Sequence, residues 1–148
     1  VTPGFLVAQI VSLTITVVMV EAATRFKTVT DALGFYGVYH REPMNQLIHF
    51  FGVPGIIWSM FLFMAHLPIP FLGSYGITVP LAAPAHSINW ATLATVFYVL
   101  FYLKIDPFGG LLYTPVLYTM YVTSVNMVRN DQVAAKKAQT ADEKKKGD

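Results

Sequence analysis

The chain's polar and apolar residues are sharply separated. Between Arg41 and Lys104 there is no Asp, Lys or Arg, and the single carboxylate, Glu42, stands at the edge of that stretch. About sixty residues without interior charge are too apolar for the surface of a water-exposed domain and read as membrane-embedded. Four apolar runs stand out, over residues 5–23, 43–67, 88–103 and 111–128. The first has the ~20 residues that a helix needs to cross the hydrocarbon core. Its wealth of Val, Ile and Thr matters little in lipid, where backbone hydrogen bonds must be met internally. The second opens at Pro43, a first-turn proline whose missing N–H would have been an orphan in any case. It contains Pro54, which removes the bond to the carbonyl of Phe50 and predicts a kink near the level of His49.

Between the second and third runs, Pro68, Pro70, Pro80 and Pro84 with Gly73 and Gly76 predict an interfacial or re-entrant loop. Trp90 and Tyr102 stand near the ends of the third run as interfacial aromatics. Asp106, Pro107, Gly109 and Gly110 predict a tight turn into the fourth, which carries Pro115 and three tyrosines, Tyr113, Tyr118 and Tyr121. Residues 129–148 are polar and charged, either disordered or a helical extension. The expected fold is all-α: an integral membrane helical bundle of about four transmembrane helices, one domain over residues 1–128, with a charged tail.

Composition sharpens this picture. The length of 148 residues suits one domain, and a hydrophobic fraction of 55% exceeds the usual share of soluble domains. The lysines of the tail read as a solvated end, so the formal charge of +2 points to no nucleic-acid partner. Absence of cysteine excludes disulfides, thiolate metal sites and Cys nucleophiles. Phe5 to Val20 matches a signal peptide's apolar core in length, but it lacks a basic leader and a small-residue cleavage site before Glu21. It is read as a transmembrane segment, and Val1 as the start of a processed chain or a fragment. Charge placement conflicts with four crossings. Arg25, Lys27, Arg41 and Lys104 fall on one side, and a fourth crossing then puts Arg129 and the lysines on the other. Either one run does not cross, or a crossing is absent.

The candidate chemistry gathers at the mouth of the second run. Asn45 and His49 are four residues apart and share a helix face, and His40 precedes the helix start by three residues. Neutral imidazole is a common ligand for zinc and iron, and an adjacent amide can orient it. Tyr36 and Tyr39 add phenols beside the pair. The competing reading makes His40 an interfacial residue and leaves His49 satisfied by Asn45 or by a carbonyl. His66 and His86 flank the Pro-rich loop, some 25 Å from His49 if a helix of about 17 residues intervenes, and read as structural. There is no Gly-rich phosphate loop, no Ser elbow and no HExxH pair. Asp106 reads as a turn former.

The run from Phe35 to Pro54, with Tyr39-His40-Arg41-Glu42-Pro43-Met44-Asn45 and Ile48-His49-Phe50-Phe51-Gly52 within it, resembles the opening of the 2-hydroxy-fatty-acid dioxygenases, small polytopic membrane proteins known from fungal phytosphingosine breakdown. The turn from Asp106 to Leu112 fits the same pattern more loosely. The resemblance implies an endoplasmic-reticulum enzyme that uses Fe(II) and O2 to shorten a 2-hydroxy fatty acid by one carbon. It makes His40 and His49 iron ligands, with Tyr39 and Asn45 beside them as catalytic groups. The chain departs from the pattern in having no Gly-His pair, which that family carries on a further helix, and in the added run before Glu21. With two histidines and no nearby carboxylate except Glu42, a two-histidine, one-carboxylate triad is no more than conceivable. Those departures favour an alternative without iron: a non-catalytic accessory subunit of a larger organellar membrane assembly, partnered by other subunits, lipids or pigments.

Overall fold

The computed structural model describes residues 3–39, 41–69 and 88–147, which form five helices and, among those residues, no strand. They are α1 (Pro3–Arg25), α2 (Val29–Tyr39), α3 (Pro43–Ala65), α4 (Trp90–Ile105) and α5 (Pro107–Gly147). The all-α expectation holds, with one added element and one open reading decided. The polar link between the first two apolar runs contains a helix, α2. It is nucleated by a reciprocal cap in which Thr28 N–H donates to Asp31 Oδ2 and Asp31 N–H to Thr28 Oγ1, each at 3.2 Å. The charged tail continues α5, so the helical extension is the reading that holds.

Caps set the other boundaries. Pro43 stands at the start of α3, which runs on through Pro54 to Ala65. Buried Asn89 accepts from the Thr92 N–H at 3.0 Å, while the Thr92 hydroxyl takes the Asn89 N–H at 3.4 Å, and this box starts α4 two residues later than the apolar run suggests. Asp106 ends α4 and begins α5: its N–H reaches the Tyr102 carbonyl at 2.9 Å, and its Oδ1 accepts from Phe108 N–H at 3.1 Å. Gly110 lets the two helices meet. A Cβ there would lie 2.7 Å from the backbone of Tyr102 and Leu103.

Helices α3, α4 and α5 pack on one another, and α1 lies against α4 over a shorter stretch. The core is narrow. Ile57, Phe61 and Met64 of α3 meet Leu117, Tyr121 and Val125 of α5, and Ala91 and Ala94 let α4 approach closely. Polar links cross the helix pairs: Trp58 Nε1 donates to Thr123 Oγ1 at 3.0 Å, and the hydroxyls of Thr92 and Tyr121 share a hydrogen bond of 3.0 Å. An antiparallel bridge between Pro68 and Asn89 joins the end of α3 to the start of α4. The amide of Gln9 ties α1 to this point, accepting from Trp90 Nε1 at 2.6 Å and donating to the Pro68 carbonyl at 3.1 Å. The Pro-rich loop and His86 lie outside the described residues.

The outward faces are apolar. Leu13 and Val17 of α1, Leu47, Phe50 and Ile56 of α3 and Leu100 of α4 are all exposed. Among the described residues, Leu6–Arg25 and Pro43–Ala65 are long and apolar enough to cross a membrane. The other two expected crossings fare differently. Helix α4 is apolar but has 16 residues, about 24 Å, against a hydrocarbon core of about 30 Å. The start of α5 is diluted by three tyrosines and three threonines between residues 111 and 128.

Candidate functional site

The site is built where α2 folds back against the start of α3. Within α2, Val29, Ala32 and Tyr36 are half-buried while the residues between them are exposed, so one face of this short helix is turned inward. That face brings the Tyr36 ring edge-on to His49, with centroids 6.4 Å apart and planes at 79°. His49 itself is half-buried on α3. Its Nδ1 lies 2.9 Å from the backbone carbonyl of Asn45, one turn earlier. A nitrogen facing a carbonyl must carry the proton, so the neutral ring has its lone pair on Nε2, the arrangement common in metal-bound histidine.

The hydrogen bond alone does not mark a site. His66 makes the same contact with the Leu62 carbonyl, also at 2.9 Å, at the exposed end of α3. Surroundings distinguish the two. His49 lines a groove of about 730 Å³, within the usual range for small-molecule sites. One wall is Tyr36 of α2, and α3 supplies Gln46, Phe50, Val53 and Pro54. Tyr113 of α5 closes the far side. The polar groups are few, an imidazole, an amide and two phenols, set in an otherwise apolar lining.

Of the four residues singled out from the sequence, Asn45 and His49 stand on one face of α3, one turn apart, as their spacing requires. Their link runs through the Asn45 backbone. Tyr39 is the last residue of α2, at the entrance to the turn that leads to α3. His40 lies outside the described residues. Among the described residues, no three His, Asp, Glu or Cys side chains come together as a metal-binding group. The spacing argument passed over Gln46 and Tyr113. Gln46 was readable, because it precedes His49 by three positions and so shares its face. Tyr113 left no local signal, since it reaches the groove only when α5 packs beside α3.

No curated protein and no solved structure matches the chain. A family does. Residues 26–118, well over half of the chain, match the model described as 2-hydroxy-palmitic acid dioxygenase Mpo1-like, a span that takes in α2, α3, α4 and the first turns of α5. With the His49 groove inside that span, the chain belongs to the Mpo1-like family.

Proposed function

We propose that this protein is a membrane-embedded, Fe(II)-dependent dioxygenase that shortens 2-hydroxy fatty acids by one carbon at the groove around His49. The observation that carries the reading is the placing of an anchored imidazole in an apolar groove, within the segment that matches the family. Net stoichiometry needs no outside reductant: one hydroxy acid and one O2 give the acid one carbon shorter, carbon dioxide and water. Two long apolar helices and the exposed apolar faces of α1 and α3 support a membrane location, which this reading sets in the endoplasmic reticulum. A hydrophobic substrate could then enter sideways from the bilayer.

The donor chemistry fits iron at His49. The ring offers Nε2 while Nδ1 is held by the Asn45 carbonyl, and its plane is set by the edge contact with Tyr36. In this reading His40, beyond the end of α2, is the second ligand. Fe(II), when bound, supplies the one-electron chemistry that ground-state O2 needs to react with a hydroxyl-bearing carbon. The chain's own residues position the substrate. The amides of Asn45 and Gln46, in the first turn of α3, act as donors for the acid's carboxylate and hydroxyl, and this reading gives Tyr39 a catalytic role beside them. Phe50, Val53 and Pro54 offer the apolar wall that excludes water along the tail.

The test is direct. Protein purified in detergent and loaded anaerobically with Fe(II) should bind iron stoichiometrically and, on admission of air, consume one O2 per 2-hydroxypalmitate. Iron-loaded protein that leaves the acid intact under air would sink the proposal and favour a non-catalytic accessory subunit instead.

A further inference from the structure

Two cavities share one wall. Beyond the His49 groove a second cavity, of about 380 Å³, lies between α2 and the α4–α5 turn, and Tyr113 lines both. From α2, Tyr36 faces the first cavity and Val29, Ala32 and Leu33 face the second. These four positions are spaced i, i+3, i+4 and i+7, which is one face of a helix. The cavities therefore follow one another along the underside of α2, over seven residues or about 10 Å.

Both compartments are mostly apolar, with a few polar groups in each. The first cavity holds the imidazole of His49 and the amide of Gln46. The second is walled by Ala32, Leu33, Ile105 and the rings of Tyr102 and Tyr113, and its one carboxylate, Asp106, accepts from the Phe108 N–H at 3.1 Å as the cap of α5. A small polar head at His49 with one flexible saturated tail running under α2 suits such a mostly apolar lining. Tyr113 stands between the two compartments, its ring edge-on to Tyr102 with centroids 5.2 Å apart. Tyr102 is in turn stacked on Tyr98 at 6.3 Å, so an aromatic row backs the partition.

Resting on the dioxygenase reading, we infer that the two cavities form one acyl groove and that Tyr113 is its specificity-determining residue. The ring limits how far the tail of a 2-hydroxy fatty acid runs under α2, and so sets the chain length accepted.

Equilibrium binding tests this without turnover. The full chain in lipid nanodiscs, with Fe(II) and without oxygen, is titrated with radiolabelled 2-hydroxylaurate, 2-hydroxypalmitate and 2-hydroxystearate. Tyr113→Ala joins the compartments and should raise the preference for stearate over laurate by about tenfold or more, since one methylene in an apolar pocket is already worth about tenfold. Ala32→Phe, on a different helix, fills the second compartment and should lower that preference by a similar factor while laurate binding is kept. Tyr113→Phe keeps the ring and should keep the wild-type ratio. An unchanged ratio in both Tyr113→Ala and Ala32→Phe overturns the inference and leaves the dioxygenase reading standing, as does a shifted ratio in Tyr113→Phe. Wild-type protein that binds none of the three acids overturns both.

Discussion

The Nδ1 of His49 is held by the backbone carbonyl of Asn45 at 2.9 Å, so the anchor of this imidazole does not depend on which side chain occupies position 45. Asn45→Ala should therefore leave the iron content unchanged. Turnover should fall about tenfold, the equivalent of one ordinary hydrogen bond from the amide to the substrate. Iron and activity measured on the same sample separate the two effects. Loss of iron in this variant would show that the amide, and not the carbonyl, holds the site.

His49 and His66 form an internal comparison, since both rings bond the carbonyl four residues earlier but only His49 lines the groove. His49→Ala is expected to lose bound iron and to lower O2-dependent turnover by more than the roughly 100-fold seen when an outer partner of a metal ligand is removed. His66→Ala should stay within about twofold of wild type, a difference too small to reflect a lost ligand. Removing iron with a chelator should abolish activity in the wild type, and Fe(II) should restore it. Equal losses in the two histidine variants would contradict the assignment.

Gly109 and Gly110 are neighbours with different constraints. A Cβ at Gly110 would meet the backbone of Tyr102 and Leu103 at 2.7 Å, and backbone cannot swing aside. At Gly109 the nearest atom is the terminal Oδ2 of Asp106, which can turn away. Gly110→Ala should destabilise the protein by about 2–3 kcal/mol through separation of α4 and α5. Gly109→Ala should cost about 1 kcal/mol or less, the worth of a weakened helix cap. Thermal unfolding in detergent ranks the two, and the reverse order would contradict the close approach at Gly110.

Gln9 is the polar clasp of α1, bonded to both Trp90 and the Pro68 carbonyl. Helix α1 also lies outside the span that matches the family. Gln9→Leu should release that clasp, raise hydrogen exchange in α1 and leave iron binding at His49 intact. Weakened iron binding in this variant would mean that α1 supports the groove through contacts other than Gln9.

Much of the site was readable one residue at a time. Four-residue spacing puts Asn45 and His49 on one face, and Pro43 fits the first turn of α3. The helix α2 was hidden because its surroundings are polar, although Thr28-x-x-Asp31 is a capping signal. The tail was undecided between coil and helix because Ala, Lys, Gln and Glu suit either, and continuity with a packed helix settles it.

Taken alone, the chain's residues determined an all-helical apolar protein with its charges set aside, a helix break at Asp106, and an imidazole at the mouth of a helix. Those are local properties, governed by which side chains neighbour one another along a few turns. Only the tertiary structure decided that Tyr36 and Tyr113 border the His49 groove. The contact between α3 and α5 joins residues more than sixty positions apart, and it needs α4 and α5 to fold tightly together at Gly110. A cavity is the space left between helices, and its shape depends on how closely their backbones approach, which no periodicity within one helix encodes.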